Sequence, residues 1–339
     1  MPDSPSHYTR ADSPYPGYDR ADSPYPHYDR DNYSGDIGVG LTREYTLDEL
    51  FNMRFSVDER TQGARSIDKV QVIALGLPFC GTSSLEAAFR SEHIDCKPVM
   101  SMARVIPYPK VSQMILNAFR EQDKAKRQAI LHKLFDNYAA ITDFPACVFA
   151  EDLLEMYPDA RVILNMREAA AHWANDVHDA LLFFGSPAYA ISTIFCRADR
   201  LHIAMYKEAY ALAERKLGPR KLGAPGGGPP KDTPLLATWY REYNDYIRIT
   251  LRESGRPYLE WKPYYGWDYL CEFLGKVTPN DGLQPFLHIN EKTQYQAMKR
   301  ALVVRGLNRW VAALLFLGVL LVIGVGTWAR VTGRLFWGH

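Results

Sequence analysis

The sequence predicts a three-layer α/β/α fold with a mostly parallel sheet, followed by one C-terminal transmembrane helix. Three observations lead to this prediction. Short β-rich apolar runs alternate with helical stretches, which is the order that a parallel sheet requires. A glycine-containing loop joins the first of these runs, Lys69–Leu75, to a helix that begins near Leu85. Finally, the run Trp310–Ala329 carries no charge, and its one weakly polar side chain is Thr327.

Residues 1–36 form a repetitive tail. The decamers ADSPYPGYDR (11–20) and ADSPYPHYDR (21–30) differ at one position, and the tail holds seven Asp against three Arg with almost no aliphatic residues. Such a segment buries too little apolar surface to offset the entropy of ordering, so it is predicted to be disordered. It is either a solvated spacer or, with its three Ser-Pro sites and six tyrosines, a docking or phosphorylation tail for another protein.

A folded domain is predicted over residues 37–295, with a Gly- and Pro-rich surface insertion at 217–234. After a short helix at Thr46–Met53 and the strand Lys69–Leu75, apolar periodicity predicts the remaining elements. The further strands are 139–143, 160–166 and 256–261, and the helices are 85–89, 111–138, 146–156, 171–184, 191–216, 237–254 and 268–274.

The run Trp310–Ala329 is long enough, at about 30 Å as a helix, to cross the hydrocarbon core of a lipid bilayer. A buried soluble helix is the weaker alternative, since the run is apolar on every face. Basic residues are more numerous before the run (299, 300, 305 and 309) than after it (330 and 334), which favours a cytosolic body. The chain is therefore predicted to be a single-pass, tail-anchored membrane protein whose body faces the cytosol.

Composition excludes several functional classes. A net charge of +1 gives no basic field that would attract nucleic acid. The five cysteines are dispersed without C-x-x-C spacing, which predicts reduced thiols rather than a disulfide framework or a metal site. The first thirty residues carry no basic-then-apolar secretory pattern.

Gly76 and Gly81 have the G-x-x-x-x-G spacing of a phosphate-binding loop between a strand and a helix. Glycines let the backbone curl, and the N–H groups of the first helical turn then point at an anion. In nucleotide-hydrolysing loops a lysine follows the second glycine, whereas here Thr82 occupies that position, so NTP hydrolysis is not expected. A tight turn without any ligand remains the alternative on the loop alone.

Three segments together carry a resemblance. Gly76-Leu-Pro-Phe-Cys-Gly-Thr-Ser-Ser84 resembles the 5′-phosphosulfate loop of sulfotransferases, and above all that of a fungal sulfotransferase-like branch with the loop GLPRTGTSS. The stretch from Asp143 to Arg167, with Trp173, and the stretch Glu260–Gly275 resemble the family's later motifs in the same order. The likeness covers about residues 68–292. It implies a P-loop NTPase-like fold. It also implies transfer of a sulfuryl group from 3′-phosphoadenosine 5′-phosphosulfate (PAPS) to a hydroxyl or amine of an unknown small-molecule acceptor, a reaction that requires no metal.

The resemblance also implies roles for single residues. Arg167 would bind the 3′-phosphate with help from Asn175, although a one-residue gap leaves open whether the family's serine aligns with Asn175 or Asp176. Asp143 would be the catalytic carboxylate that activates the acceptor, and the alternative for Asp143 is a helix cap. The alternative for Arg167 is an ion pair with Glu168 or Glu151. The residues expected to bind the phosphosulfate are Gly76, Phe79, Cys80, Gly81, Thr82, Ser83 and Ser84.

Phe79 departs from the family pattern, because the family places Arg or Lys there to assist the leaving oxygen. Loss of such a donor typically costs about a hundred- to a thousandfold in rate. Lys262, Arg104 and Lys110 are candidate replacements that the sequence does not rank. Two functions therefore stay open, a membrane-anchored sulfotransferase of impaired activity and a catalytically inactive fold that serves as a tethered binding or scaffold module.

Overall fold

The computed structural model describes residues 69–105, 108–217, 233–279, 284–287 and 291–336. Several predictions lie outside these residues: the disordered tail 1–36, the start of the domain at residue 37, the helix Thr46–Met53 and nearly all of the insertion at 217–234. The described elements follow one another in the α/β order that the sequence predicts. In chain order they are β1 (Val72–Ala74), α1 (Thr82–Arg90), β2 (Val99–Met100), α2 (Met102–Val105), α3 (Pro109–Arg120), α4 (Lys124–Phe135), β3 (Ala140–Ile141), α5 (Phe144–Val148), α6 (Ala150–Met156), β4 (Arg161–Asn165), α7 (Ala170–Phe184), α8 (Pro187–Ser192), α9 (Arg197–Leu217), α10 (Thr233–Glu253), β5 (Tyr258–Trp261), α11 (Gly266–Leu274) and α12 (Glu291–Phe336), with a 3-10 turn at Pro263–Tyr265.

The sheet has the strand order β2-β3-β1-β4-β5, and each described pair of neighbours is parallel. The chain runs from β1 to one side of the sheet, to β2 and β3, and then crosses to β4 and β5 on the other. The carboxyl ends of all five strands therefore meet at one edge, and β1 lies at the point where the direction of winding reverses. In open parallel sheets this is where ligands bind.

Helices cover both faces of the sheet, which confirms the predicted three-layer fold. Ile73, Leu75 and Leu164 point into a core formed with helices of the α3–α7 region and α10. Val72, Ala74 and Ile163 point to the opposite face and pack against α1 and α11. Because successive side chains of a strand alternate between faces, a strand covered on both sides is apolar on both, as β1 and the centre of β4 (162–164) are.

Two predicted helices are interrupted in the structure. The stretch 111–138 forms α3 and α4, separated at Asp123, whose carboxylate accepts a hydrogen bond from Lys126 N at 2.8 Å and so starts a new helix. The stretch 146–156 lies in α5 and α6, which are separated at Phe149. Both breaks depend on local backbone and side-chain contacts, so the predicted continuous helices do not show them.

The predicted helix 191–216 also divides, into α8 and α9. The hydroxyls of Ser192 and Thr193 donate to the carbonyls of Tyr189 (2.7 Å) and Ala190 (2.8 Å). Such local bonds compete with helix continuation, so the chain turns before Arg197.

The last helix, α12, is much longer than the predicted span. It runs from Glu291 to Phe336, and residues Met298–Thr332 are long and apolar enough to cross a membrane, with the most apolar part unburied. Its first half instead packs on the domain, because Tyr295 and Leu302 are buried beside Phe184 and Tyr189. The domain is therefore joined to the apolar run by continuous helix.

Candidate functional site

The loop after β1 is held by close backbone contacts. Gly76 N donates to Asn165 Oδ1 at 2.8 Å, and Asn165 Nδ2 donates to Cys80 O at 3.1 Å, so one amide side chain from the end of β4 fastens both ends of the curl. A Cβ at Gly76 would lie 2.0 Å from Asn165 O, so glycine is required. Trp173 Nε1 adds a bond to Pro78 O at 2.8 Å.

Two residues of the loop adopt a left-handed backbone conformation. Gly81 has φ +72° and begins α1, and a Cβ there would come within 2.6 Å of Pro263 Cγ. Phe79 has φ +66°, which is rare for a bulky residue. The curl directs the first N–H groups of α1, at Thr82 and Ser83, along the positive end of the helix dipole, an arrangement that attracts anions. Thr82 and Ser84 are buried at its base.

Phe79 turns its ring toward the helical layer. It packs against the cluster that contains Phe184 and Tyr295, and its ring centroid lies 5.9 Å from that of Tyr295 in an edge-to-face arrangement. The residue that stands in place of the family's cation therefore connects the loop to the base of α12. Cys80 is fully buried, as expected of a packing residue rather than a reactive thiol.

Asp143 follows β3 and lies on one side of the loop. Its backbone, at φ +66° and ψ −154°, occupies a region that is essentially restricted to glycine, and its side chain makes no capping bond to α5. Asp143 therefore occupies the N-cap position of α5, which the sequence left open for it, but without a capping bond from its side chain. Burial raises the pKa of the Cys147 thiol, and the charge of the nearby Asp143 raises it further.

Arg167 follows β4 and lies on the other side of the loop. Its Nη2 is 2.7 Å from Asp176 Oδ2, so the ion-pair partner is neither Glu168 nor Glu151, as the sequence had suggested, but a carboxylate of α7. Asn175, the expected partner of Arg167, is exposed, and the neighbouring Asp176 contacts Arg167 instead. The backbone of Arg167 is fixed by Tyr240, whose hydroxyl accepts from Arg167 N at 2.8 Å.

Lys262 directly follows β5, at the same edge of the sheet. The next residue, Pro263, packs against Gly81 of the loop, while the Lys262 ammonium lies 5.7 Å from the ring centroid of Tyr264. Arg104 and Lys110, the other two cations that the sequence left unranked, follow β2 instead. Of the three, Lys262 is therefore the one whose neighbour in the chain, Pro263, packs against the loop.

Four buried polar atoms near this edge have no hydrogen-bond partner within the described residues. Buried polar atoms are rarely left unsatisfied in native proteins, so such a group marks a place where water or a ligand binds. The sequence contained no signal for the two hydroxyl residues, because a single serine or threonine carries no pattern. The atoms are Ser101 Oγ after β2, Thr142 Oγ1 after β3, Arg167 Nε after β4 and Trp239 Nε1 on α10.

The structure thus brings the loop, Asp143 and Arg167 to one edge of the sheet, where each follows one of three neighbouring strands. Comparison with known proteins agrees with this geometry, since the family model described as "Sulfotransferase domain" matches residues 71–295. The chain belongs to the sulfotransferase family. A relative from Aspergillus versicolor, "Ava biosynthesis cluster protein M", is 29% identical over 226 residues, which cover 65% of this chain and 80% of that protein.

Sulfotransferases generally use PAPS as the sulfuryl donor, and the residues of this site fit its charges. The loop offers oriented amides beside buried hydroxyls, and Arg167 offers a guanidinium with one buried nitrogen unsatisfied. Among the described residues, no three His, Cys, Asp or Glu side chains form a group that could hold a metal ion.

Proposed function

We propose that this protein transfers a sulfuryl group from PAPS to a hydroxyl or amine acceptor at a membrane surface. The observation that carries the proposal is the convergence of three groups at the carboxyl edge of β3, β1 and β4. They are Asp143, the Gly76–Ser84 loop and Arg167. An acceptor base, an anion cradle and a phosphate-binding cation are the groups that sulfuryl transfer requires.

Each residue has one task in this proposal. Asp143 accepts the acceptor's proton as a new bond to sulfur forms and the sulfur–oxygen bond to the 5′-phosphate breaks. The amides of Gly81, Thr82 and Ser83 hold the 5′-phosphate, and Arg167 holds the 3′-phosphate. Lys262 supplies the positive charge for the leaving oxygen that Phe79 lacks.

The proposal is tested by calorimetric titration of the full chain in detergent with 3′-phosphoadenosine 5′-phosphate. Arg167→Ala is expected to weaken binding by about ten- to a hundredfold, since it removes a charge-assisted hydrogen bond. Arg120→Ala is the matched control, because Arg120 lies at the far end of α3 in an exposed pair with Glu208. Equal affinity in the two variants would contradict the proposal. Turnover of radiolabelled PAPS with a panel of phenols, alcohols and amines then identifies the acceptor class.

A second function, an inactive sulfotransferase fold that serves as a tethered binding or scaffold module, is favoured by one observation. The guanidinium of Arg167 is already paired with Asp176, and the loop position of the family's cation is occupied by a ring packed on Tyr295. In that case 3′-phosphoadenosine 5′-phosphate does not bind even at millimolar concentration. If it binds but no turnover is detected, and none appears in Phe79→Arg, the fold is a nucleotide-binding relic.

We further propose that α12 is the membrane anchor and that the body faces the cytosol. Support comes from the length and apolar character of Met298–Thr332 and from the excess of basic residues on its N-terminal side. A docking role for residues 1–36 stays a prediction.

A further inference from the structure

A short turn of the domain lies against the start of the apolar run of α12. Trp310 Nε1 donates to Ile191 O at 3.0 Å, and the rings of Phe195 and Trp310 meet edge to face at 4.8 Å. One turn earlier in α12, Gly306 faces Ser192 so closely that a Cβ would come within 2.9 Å of it. The turn 191–195 is therefore level with Trp310, the first residue of the uncharged run.

This turn presents large apolar side chains to the surroundings. Ile191, Ile194 and Phe195 are 56%, 46% and 42% exposed, although each is large enough to be core. They continue an apolar surface on α12 itself, where Leu307 and Val311 are exposed as well. Scattered exposed apolar residues are ordinary, but a contiguous patch marks an interaction surface.

The turn is built to hold these side chains outward. Its polar groups are satisfied internally, because Arg200 Nη1 donates to the carbonyls of Thr193 (3.4 Å) and Ile194. Thr193 and Cys196 are buried between the exposed residues and anchor the turn on the domain. The apolar face is thus a fixed feature of the domain and not a frayed end.

Arginines follow the turn on α9 and precede Trp310 on α12. Arg197 and Arg200 of α9 and Arg300 of α12 are exposed, and Arg309 is partly so. The nearby Asp199 is buried and paired with Arg305, so its charge is compensated inside the domain. An apolar face flanked along the chain by arginines fits the boundary between anionic lipid headgroups and acyl chains.

We propose that the turn Ile191–Phe195 is a second membrane-contacting element, seated in the lipid headgroup–acyl boundary beside Trp310. The proposal rests on the membrane-anchor role of α12 but not on sulfuryl transfer. If α12 crosses the bilayer with Trp310 at its interface, a turn in contact with Trp310 lies at the same depth. Two separate contacts with the bilayer fix the orientation of the domain relative to the membrane, whereas a single spanning helix leaves the domain free to tilt. Because Phe79 packs on Tyr295 of the same helix, the candidate site is held at a defined angle to the membrane.

The test uses the full chain with a single cysteine added at Ile194, labelled with an environment-sensitive fluorophore. The five native cysteines are buried, so the label is directed to the new one. The control is Val277→Cys. Val277 is 83% exposed and follows Lys276, whose charge lowers the pKa of the nearby Cys96 thiol. That thiol donates a hydrogen bond to Gln71 at the amino edge of the sheet, so Val277 lies toward this edge. Leu320→Cys, in the middle of the apolar run, reports whether α12 is inserted.

Each protein is reconstituted in vesicles of phosphatidylcholine and phosphatidylserine whose acyl chains carry a nitroxide at one of two depths. A nitroxide near the headgroup end is used to compare the labels at residues 194 and 277, and a nitroxide near the terminal methyl is used for the label at residue 320, at the bilayer centre. We expect the label at residue 194 to be quenched at least about fivefold more strongly than the label at residue 277, with a blue-shifted emission. Equal quenching at 194 and 277, with strong quenching at 320, overturns the second contact alone. Weak quenching at 320 overturns the anchor and the second contact together.

A second copy of this chain is the other occupant that the patch fits. In that case the blue shift at residue 194 grows with the protein-to-lipid ratio while nitroxide quenching stays low, and this result overturns the proposal. Binding of 3′-phosphoadenosine 5′-phosphate to Ile194→Cys is measured in parallel and is expected to equal that of the wild type. Failure of the membrane contact is therefore distinguishable from failure of the proposed enzymatic function.

Discussion

Asp143 combines an unfavourable backbone conformation with a position beside the loop. A non-glycine residue in this region of φ and ψ costs about 1–3 kcal/mol and persists only where its surroundings impose it. Such strain is concentrated at functional sites. A glycine would be more stable at residue 143, so the carboxylate itself explains the presence of aspartate.

We predict that Asp143→Gly stabilises the protein and removes its activity. Relief of the strain, less the entropy that glycine loses on folding, leaves a net gain of about 1 kcal/mol. Loss of the base lowers turnover by about a hundredfold or more. Thermal unfolding and PAPS turnover measure the two effects. Asp143→Ala is the control, since it loses the base but keeps the strain. A Gly variant that is no more stable than the Ala variant would disprove the strain.

At the residue level, the sequence predicted which candidate residues follow strands directly, and the structure has them at those positions. Gly76, Asp143 and Arg167 each lie just past an apolar run, and parallel strands bring such positions to one edge. Contacts that arise from distant segments were not predictable. Neither the pairing of Arg167 with Asp176 nor the packing of Phe79 on Tyr295 leaves a periodic signal, since both depend on how separate helices dock.

At the scale of elements, a carboxylate of α7 pairs with the guanidinium that follows β4. Asp176 would therefore compete with an anionic ligand for Arg167. Arg167 and Asp176 are both partly exposed, so their ion pair is weak enough to open. If Arg167 binds the 3′-phosphate as proposed, the phosphate has to displace the carboxylate of Asp176 or bind beside it against its charge.

Asp176→Asn is therefore expected to tighten binding of 3′-phosphoadenosine 5′-phosphate by about three- to tenfold, because it removes the competing charge and keeps the shape. Asp245→Asn is the control, since Asp245 pairs with Arg248 at the surface. Calorimetry measures both. Weaker binding in Asp176→Asn would show instead that the carboxylate positions Arg167.

A buried histidine links α9 to the helices around the base of α12. His202 lies between the rings of Phe184 and Tyr206, near Arg305, which is paired with Asp199. Burial and, to a smaller extent, the charge of Arg305 together lower the pKa of His202 to about 3. Because the unfolded chain binds a proton near the ordinary pKa of about 6.5, stability is complete above that pH and declines as the pH falls toward 3.

The expected loss from His202 is about 2 kcal/mol of unfolding free energy between about pH 7 and pH 5. His202→Phe should remove this component, since phenylalanine does not titrate, and should flatten the decline of the unfolding midpoint. His172→Phe, at an exposed position, serves as the control. A decline as steep in His202→Phe as in the wild type would assign the acid sensitivity to other groups.

Element prediction succeeded where apolar periodicity was long and failed where side chains altered the backbone locally. The strands at 160–166 and 256–261 were found within two residues of their ends. The strand β2 was missed because its two apolar residues stand between Pro98 and Ser101 without a longer apolar run. The breaks at Asp123 and Thr193 were missed because they depend on single side chains that cap or compete with the helix.

At the scale of the whole molecule, α12 determines how the site meets its surroundings. The sequence predicted the apolar run but not that its helix extends back through Tyr295 onto the domain. Over its 46 residues the helix is about 70 Å long, more than twice the hydrocarbon thickness of a bilayer. The excess length accounts for the part that packs on the domain.

The orientation of the chain in the membrane can be measured directly. In sealed microsomes that contain the full chain, added protease should remove the body and leave protected only a fragment that includes residues 310–329. The reason is that the excess of basic residues before the apolar run retains that side in the cytosol. Replacing Lys299, Arg300 and Arg309 by Gln and adding lysines after residue 334 should increase the inverted fraction; Arg305 is left unchanged because it pairs with Asp199. Protection of the whole 38.6 kDa chain in the wild type would instead place the site in the lumen. The proposed reaction would then draw its sulfuryl donor from that compartment.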